Sequence, residues 1–138
     1  MLHRVVCNLF IAIALSAGAP AALADSYAEC FLAADSGNYD LAYAKWRELA
    51  EQGDANAEFN LGLMYHSGLH VAFNEQEAVR WYLRAAEGGN TLAQEYMAIG
   101  YQEGWFGLAR DEAKSRYWYR RLDGETDTAS VSNSSWGR

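Results

Sequence analysis

Between Asn56 and Asn90 the chain reads NAEFNLGLMYHSGLHVAFNEQEAVRWYLRAAEGGN, and its apolar positions fall twice into helical stripes. Ala57, Leu61, Met64 and Tyr65 share one side of a first helix. Ala78, Trp81, Tyr82, Ala85 and Ala86 share one side of a second, beyond a Gly-containing turn. The pattern then returns. Gly53-Asp54 and Gly89-Asn90 are 36 apart, as are Ala57 and Ala93, Tyr65 and Tyr101, and Gly68 and Gly104; Trp81-Tyr82 comes back at Trp118-Tyr119 after 37. A helical hairpin recurring at this period cannot bury its apolar side alone, so copies must stack. The expected fold class is all-α, an α/α solenoid of about three helical hairpins.

The flanks fit the same scheme. Ser26 to Asp35 reads as a helix capped by Ser26, with Ala28, Phe31 and Leu32 on one side, and Ser36-Gly37-Asn38 breaks it. Tyr39 to Gln52 follows, with Leu41, Ala42, Lys45-Trp46, Leu49 and Ala50 at helical spacing. Gly53 suits the left-handed end of that helix and Asp54 the cap of the next. Small residues mark where paired helices approach: Gly62 and Ala98 on first helices, Ala78 and Ser115 opposite them. A Gly inside a helix costs about 1 kcal/mol relative to Ala, so Gly62 needs such a packing reason. Trp46, Trp81-Tyr82 and Trp118-Tyr119 are expected to supply the large surfaces that stack on the next hairpin.

Composition adds boundaries. His3 and Arg4, the apolar run Val5 to Ala17, Pro20 and the A-x-A pattern Ala22-Leu23-Ala24 read as a signal peptide over 1–24. An uncleaved N-terminal anchor is the alternative, although the run is short for a span. The repeat domain is expected over 25–124. Residues 125–138, rich in Ser, Thr and Asp, read as a disordered tail. Loss of Arg4 would reduce eleven basic residues to ten against eighteen acidic, taking the formal charge from −7 to −8. That argues against nucleic acid or an anionic membrane as the partner. Without Cys7, Cys30 is the remaining thiol: a small buried residue on one reading, an intermolecular bridge on the other.

The pattern Ala57-x-x-x-Leu61-Gly62-x-x-Tyr65-x-x-Gly68, then Ala78-x-x-Trp81-Tyr82-x-x-Ala85-Ala86-x-x-Gly89, resembles a Sel1-like repeat, a longer-turned relative of the tetratricopeptide repeat. Residues 54–89 give one full copy, 90–124 a weaker one, and the N-terminal hairpin is nearer the short-turned form. The resemblance implies a scaffold that binds proteins, as an adaptor or regulator in the cell envelope. Two departures stand out. Where the family has Gly-x-Gly-Val, this chain has Gly68-Leu69-His70-Val71. The last copy has Gly104-Trp105-Phe106-Gly107-Leu108, with Gly107 placed to act one residue later. Both turns are therefore expected to differ locally from the usual geometry. The cysteine pairs of some secreted members are absent.

Chemical motifs are sparse. His66 and His70 have a metal-ligand spacing, but Gly68 ends the helix between them and no third ligand is near. No Gly-x-Ser-x-Gly, Ser-x-x-Lys or phosphate-cradling loop occurs. A β-lactamase-like or other hydrolase on this scaffold is the alternative function, and a structural subunit of an envelope complex a third. No catalytic residue, cofactor or metal is assigned. First helices line the concave side of such solenoids, which places Asn56, Phe59, Leu63, His66, Leu92, Glu95, Ile99 and Gln102 there as candidates for binding a protein or peptide partner. Phe59, Leu63 and Ile99 either meet that partner or are covered by the neighbouring hairpin. Trp105 and Phe106 are a second candidate contact, one ring turned in and the other out. Arg110, Lys114, Arg116, Arg120 and Arg121 form a basic patch, either for an acidic partner or paired with nearby carboxylates.

Overall fold

The computed structural model describes residues 21–125. Six helices follow one another: α1 (Ala21–Asp35), α2 (Tyr39–Glu51), α3 (Ala55–Ser67), α4 (Glu75–Glu87), α5 (Thr91–Glu103) and α6 (Glu112–Leu122). Each packs on its neighbours in chain order, so the pairs α1–α2, α3–α4 and α5–α6 make the three expected hairpins. No strand occurs among the described residues. Most of the expected signal segment and tail, residues 1–20 and 126–138, lie outside them.

Local chemistry sets the helix ends. Asn38, Asp54, Asn74, Asn90 and Asp111 cap α2 to α6, each side-chain oxygen accepting the backbone N–H three residues on, at 2.7 to 3.2 Å. Gly68 and Gly104 close α3 and α5 in the left-handed conformation. The first helix differs from expectation. It begins at Ala21, so Ser26 lies within it rather than capping it. Its buried side is Tyr27, Cys30, Ala33 and Ala34, while Leu32 is 70 % exposed and Ala28 is exposed too. This segment is apolar nearly all round, so periodicity could not choose a side; contact with Trp46 does, through Tyr27 at 5.8 Å and Phe31 at 5.1 Å between ring centroids. Cys30 is fully buried, and burial pushes its thiol up to about 12, which is the packing reading of that residue.

Two dry clusters hold the stack. The first gathers Tyr27, Cys30, Trp46, Leu61 and Met64; the second gathers Phe59, Tyr82, Met97, Tyr101 and Trp118. A Cβ on Gly62 would lie 2.5 Å from the Tyr82 ring and 3.2 Å from the Ala78 carbonyl, so that glycine is where α3 and α4 come together. The aromatic pairs divide their work differently from expectation. Trp46, Tyr82 and Trp118 are buried, but Trp81 packs back on the first cluster under the Arg84 guanidinium, 4.6 Å away, and Tyr119 is exposed. Arg84 also holds Glu58 at 2.8 Å; burial raises that carboxyl above its ordinary range and the guanidinium opposes the rise. A polar thread crosses the hairpins: Tyr27 donates to Asp54 at 2.5 Å, Asn56 to Tyr27 at 3.4 Å, and Asn90 to Asn56 at 2.8 Å.

Candidate functional site

The site grows out of the two long turns. In each, the residue two after the closing glycine is left-handed: His70 has φ +66° and Phe106 has φ +59°. Both turns thus keep a left-handed residue where the sequence carries no glycine. In the last copy Phe106 occupies that position in register, and Gly107 at φ +68° follows. A side chain there costs about 1–2 kcal/mol over glycine, so its contacts must offset that. The His70 ring bonds the Asp40 carboxylate at 2.7 Å and leans on Tyr43 at 4.8 Å. The Phe106 ring turns inward, stacked on Tyr96 at 6.0 Å and edge-on to His66 at 5.0 Å. Gly100 leaves room for it, since a Cβ there would meet Phe106 at 3.3 Å.

Phe106 thereby links a surface strip of rings. Phe73, 62 % exposed, lies 6.4 Å from His66; His66 meets Phe106; Phe106 meets Trp105, 53 % exposed, at 6.2 Å. Leu63 precedes His66 by one turn of α3, and Ile99 follows Tyr96 by one turn of α5, both half-buried. His66 is fixed by a 3.2 Å hydrogen bond between Nδ1 and the Tyr82 hydroxyl. Burial raises the Tyr82 and Tyr96 hydroxyls above their ordinary range, with Glu95 adding to the rise at Tyr96. These groups offer contact area, hydrogen-bonding capacity and carboxylate charge.

The remaining candidates are scattered by the fold. Phe59 is fully buried and cannot meet a partner: α5 covers it, Tyr96 standing edge-on at 5.4 Å with Tyr82 at the same distance. Asn56 is half-buried in the polar thread, and Leu92 is half-buried against the second cluster. Glu95 is exposed, and exposed Gln102 accepts a 3.2 Å hydrogen bond from Tyr119. Trp105 and Phe106 divide as expected, one ring out and one in. His66 and His70 turn to different partners, Tyr82 and Asp40, and no group of three metal-ligating side chains occurs among the described residues. The basic patch is largely engaged locally: Arg110 with Glu103 at 3.8 Å, Lys114 with Asp111 at 3.8 Å, Arg116 with Glu112 at 4.0 Å, and Arg121 with the Tyr117 hydroxyl at 3.0 Å. Neither Phe73 nor Tyr96 lies on the repeated stripe positions of the sequence. A hollow of about 340 Å³ lies between α1 and α2, with Leu23, Cys30 and Leu49 in its wall.

Comparison with known proteins bears on the hairpins. A family model described as Sel1 repeat matches residues 55–90 and 91–122, the second and third hairpins. The chain is similar to a crystal structure of a Sel1 repeat protein from Oxalobacter formigenes, at 32% identity and TM-score 0.55, covering 61% of this chain and 63% of that one. It is 29% identical over 77 residues to chitin synthase regulatory factor 2 of Schizosaccharomyces pombe, covering 56% of this chain and 15% of that protein. It is 46% identical over 46 residues to DAP3-binding cell death enhancer 1 of Rattus norvegicus, covering 33% of this chain and 9% of that protein. The match thus spans a small part of either relative's length.

Proposed function

This chain is a Sel1-repeat protein, and from that premise we propose that it is an exported, non-catalytic scaffold that docks a protein partner on its aromatic strip, as an adaptor or regulator in the cell envelope. Sel1 repeats are in general protein-binding scaffolds. One observation carries the reading: two large aromatic side chains, Phe73 and Trp105, stand exposed at the ends of a continuous path of rings whose middle, His66 and Phe106, is anchored in the second cluster. Exposed aromatics on a rigid base are what a peptide-binding surface requires, because little conformational freedom is lost on docking. The names of the two relatives, a regulatory factor and a binding protein, agree with that role. Export rests on the basic start, apolar run and A-x-A pattern of residues 1–24. No helix among the described residues is long and apolar enough to cross a membrane.

Photocrosslinking tests the site. With p-benzoylphenylalanine at 73 or 105, the expected result is one shared protein adduct, absent when the probe is at exposed Leu41 in the first hairpin. Equal yields from 41, or an adduct from 41 alone, would sink the strip as the docking surface. N-terminal sequencing of the protein recovered from outside the cytoplasm should begin at Asp25 if the leader is removed.

A further inference from the structure

We propose that the strip takes a positively charged amphipathic peptide segment of its partner, apolar side chains on the rings and Lys or Arg on Glu75 and Glu95; this rests on the docking surface proposed above. The rings are bordered by carboxylates. Glu75 begins α4 two residues beyond Phe73, and its Oε2 lies 3.5 Å from where a Cβ on Gly107 would stand, so it sits between the two turns. Glu95 is on the exposed side of α5 beside Tyr96, one turn before Ile99. Neither Glu75 nor Glu95 forms an ion pair among the described residues. Glu103, at the end of α5, is by contrast paired with Arg110 at 3.8 Å. The whole chain carries a formal charge of −7, so the field around the strip reinforces these side chains.

Two physical consequences select the partner. Carboxylates rimming an apolar surface attract cationic segments and penalise acidic ones, which fixes specificity more than affinity. Exposed ring faces attract cations as well. The molecule already uses that contact, with Arg84 over Trp81 at 4.6 Å and Lys114 Nζ over Tyr101 at 5.0 Å. Among the described residues no Lys or Arg is seated over the Trp105 or Phe73 ring, so both faces are open to one.

The test is selection from a random 12-residue peptide library displayed on phage, against the immobilised full chain. Peptides of net positive charge with aliphatic or aromatic anchors should be enriched. Their binding should fall about tenfold with Glu75→Lys plus Glu95→Lys and be lost with Phe73→Ala plus Trp105→Ala; unchanged melting curves would show that both variants fold. Enrichment of neutral or acidic peptides that still need Phe73 and Trp105 would overturn the charge assignment and leave the strip standing. Enriched peptides indifferent to Phe73 and Trp105 would overturn the strip itself. No enrichment over an unrelated acidic helical protein would overturn both.

Discussion

The turns Gly68–Asn74 and Gly104–Asp111 solve the same problem with opposite side chains. Both open on a left-handed glycine, both put a non-glycine in the left-handed region two residues later, and both return through one backbone bond: Asn74 N–H to the Tyr65 carbonyl at 3.0 Å, Asp111 N–H to the Tyr101 carbonyl at 2.9 Å. There they part. His70 looks back to the first hairpin and is held at an exposed position by Asp40 and Tyr43. Phe106 looks into the seam between the second and third hairpins and is held by Tyr96, Tyr82 and His66. A strained backbone position persists when its surroundings over-determine it. Here the first surroundings are polar and wet and the second apolar and dry, so the two turns should differ in how much stability their side chain contributes.

Both turns depend on the α3–α4 hairpin, so the largest effect comes from breaking it. Gly62→Leu places a branched side chain where even a Cβ would overlap the Tyr82 ring. Overpacking of this kind costs roughly 1–3 kcal/mol or more, and because Tyr82 also contacts His66 and Phe106, the loss should reach the strip. Thermal melts by circular dichroism should show an unfolded or strongly destabilised protein; a wild-type midpoint would remove the close-approach role from Gly62.

Phe106→Ala comes next. It vacates a half-buried site among four rings and should cost about 2–3 kcal/mol, below the range for a fully buried Phe. Phe106→Gly removes the same ring but also the left-handed strain, and should recover about 1 kcal/mol of that loss. Urea titrations of the three proteins measure both differences. Equal stability of the Ala and Gly variants would mean that the backbone there is not strained.

The same pair of substitutions at His70 gives the smaller, wet version of the effect. His70→Ala gives up an exposed hydrogen bond and a ring contact, about 1 kcal/mol together, while His70→Gly regains about as much from the backbone and should melt near the wild type. A loss at His70→Gly as large as at Phe106→Gly would erase the contrast between the turns.

These contrasts bear on what the residues alone could reveal. Helices and hairpin pairing are legible because Gly53 returns at Gly89 and Gly68 at Gly104 after 36 residues, and Trp81-Tyr82 at Trp118-Tyr119 after 37, and spacing is a one-dimensional property. The left-handed role of His70 and Phe106 is not, because the position carries no Gly to announce it. For Phe59 the helical wheel leaves groove contact and cover by the next hairpin both open; its burial depends on where α5 lies, which no periodicity in α3 encodes. Phe73 stands in a turn, outside any stripe, so periodicity does not mark it; aromatic residues in both long turns are the signal that the turns share a surface. For the pairing Trp118-Tyr119, α6 shows only Trp118 inward and Tyr119 outward toward Gln102, since no described helix follows to cover it.

The smallest effect on stability is the most informative about function. Trp105 and Phe106 are neighbours in sequence, and their rings meet edge to face at 84°. Phe106 faces three side-chain rings besides Trp105, whereas Trp105 is 53 % exposed and has Phe106 as its ring neighbour. Truncating an exposed ring usually shifts stability by no more than about 0.5 kcal/mol, so Trp105→Ala should melt with the wild type. If the ring is an anchor for a partner, the same change should weaken binding by about tenfold or more, as truncation of an interface aromatic commonly does. The crosslinked partner, or the selected peptides, titrated against both proteins by fluorescence anisotropy measure that ratio. A Trp105→Ala protein that binds normally but melts early would make Trp105 a second plug like Phe106, and the last turn would then be structural throughout.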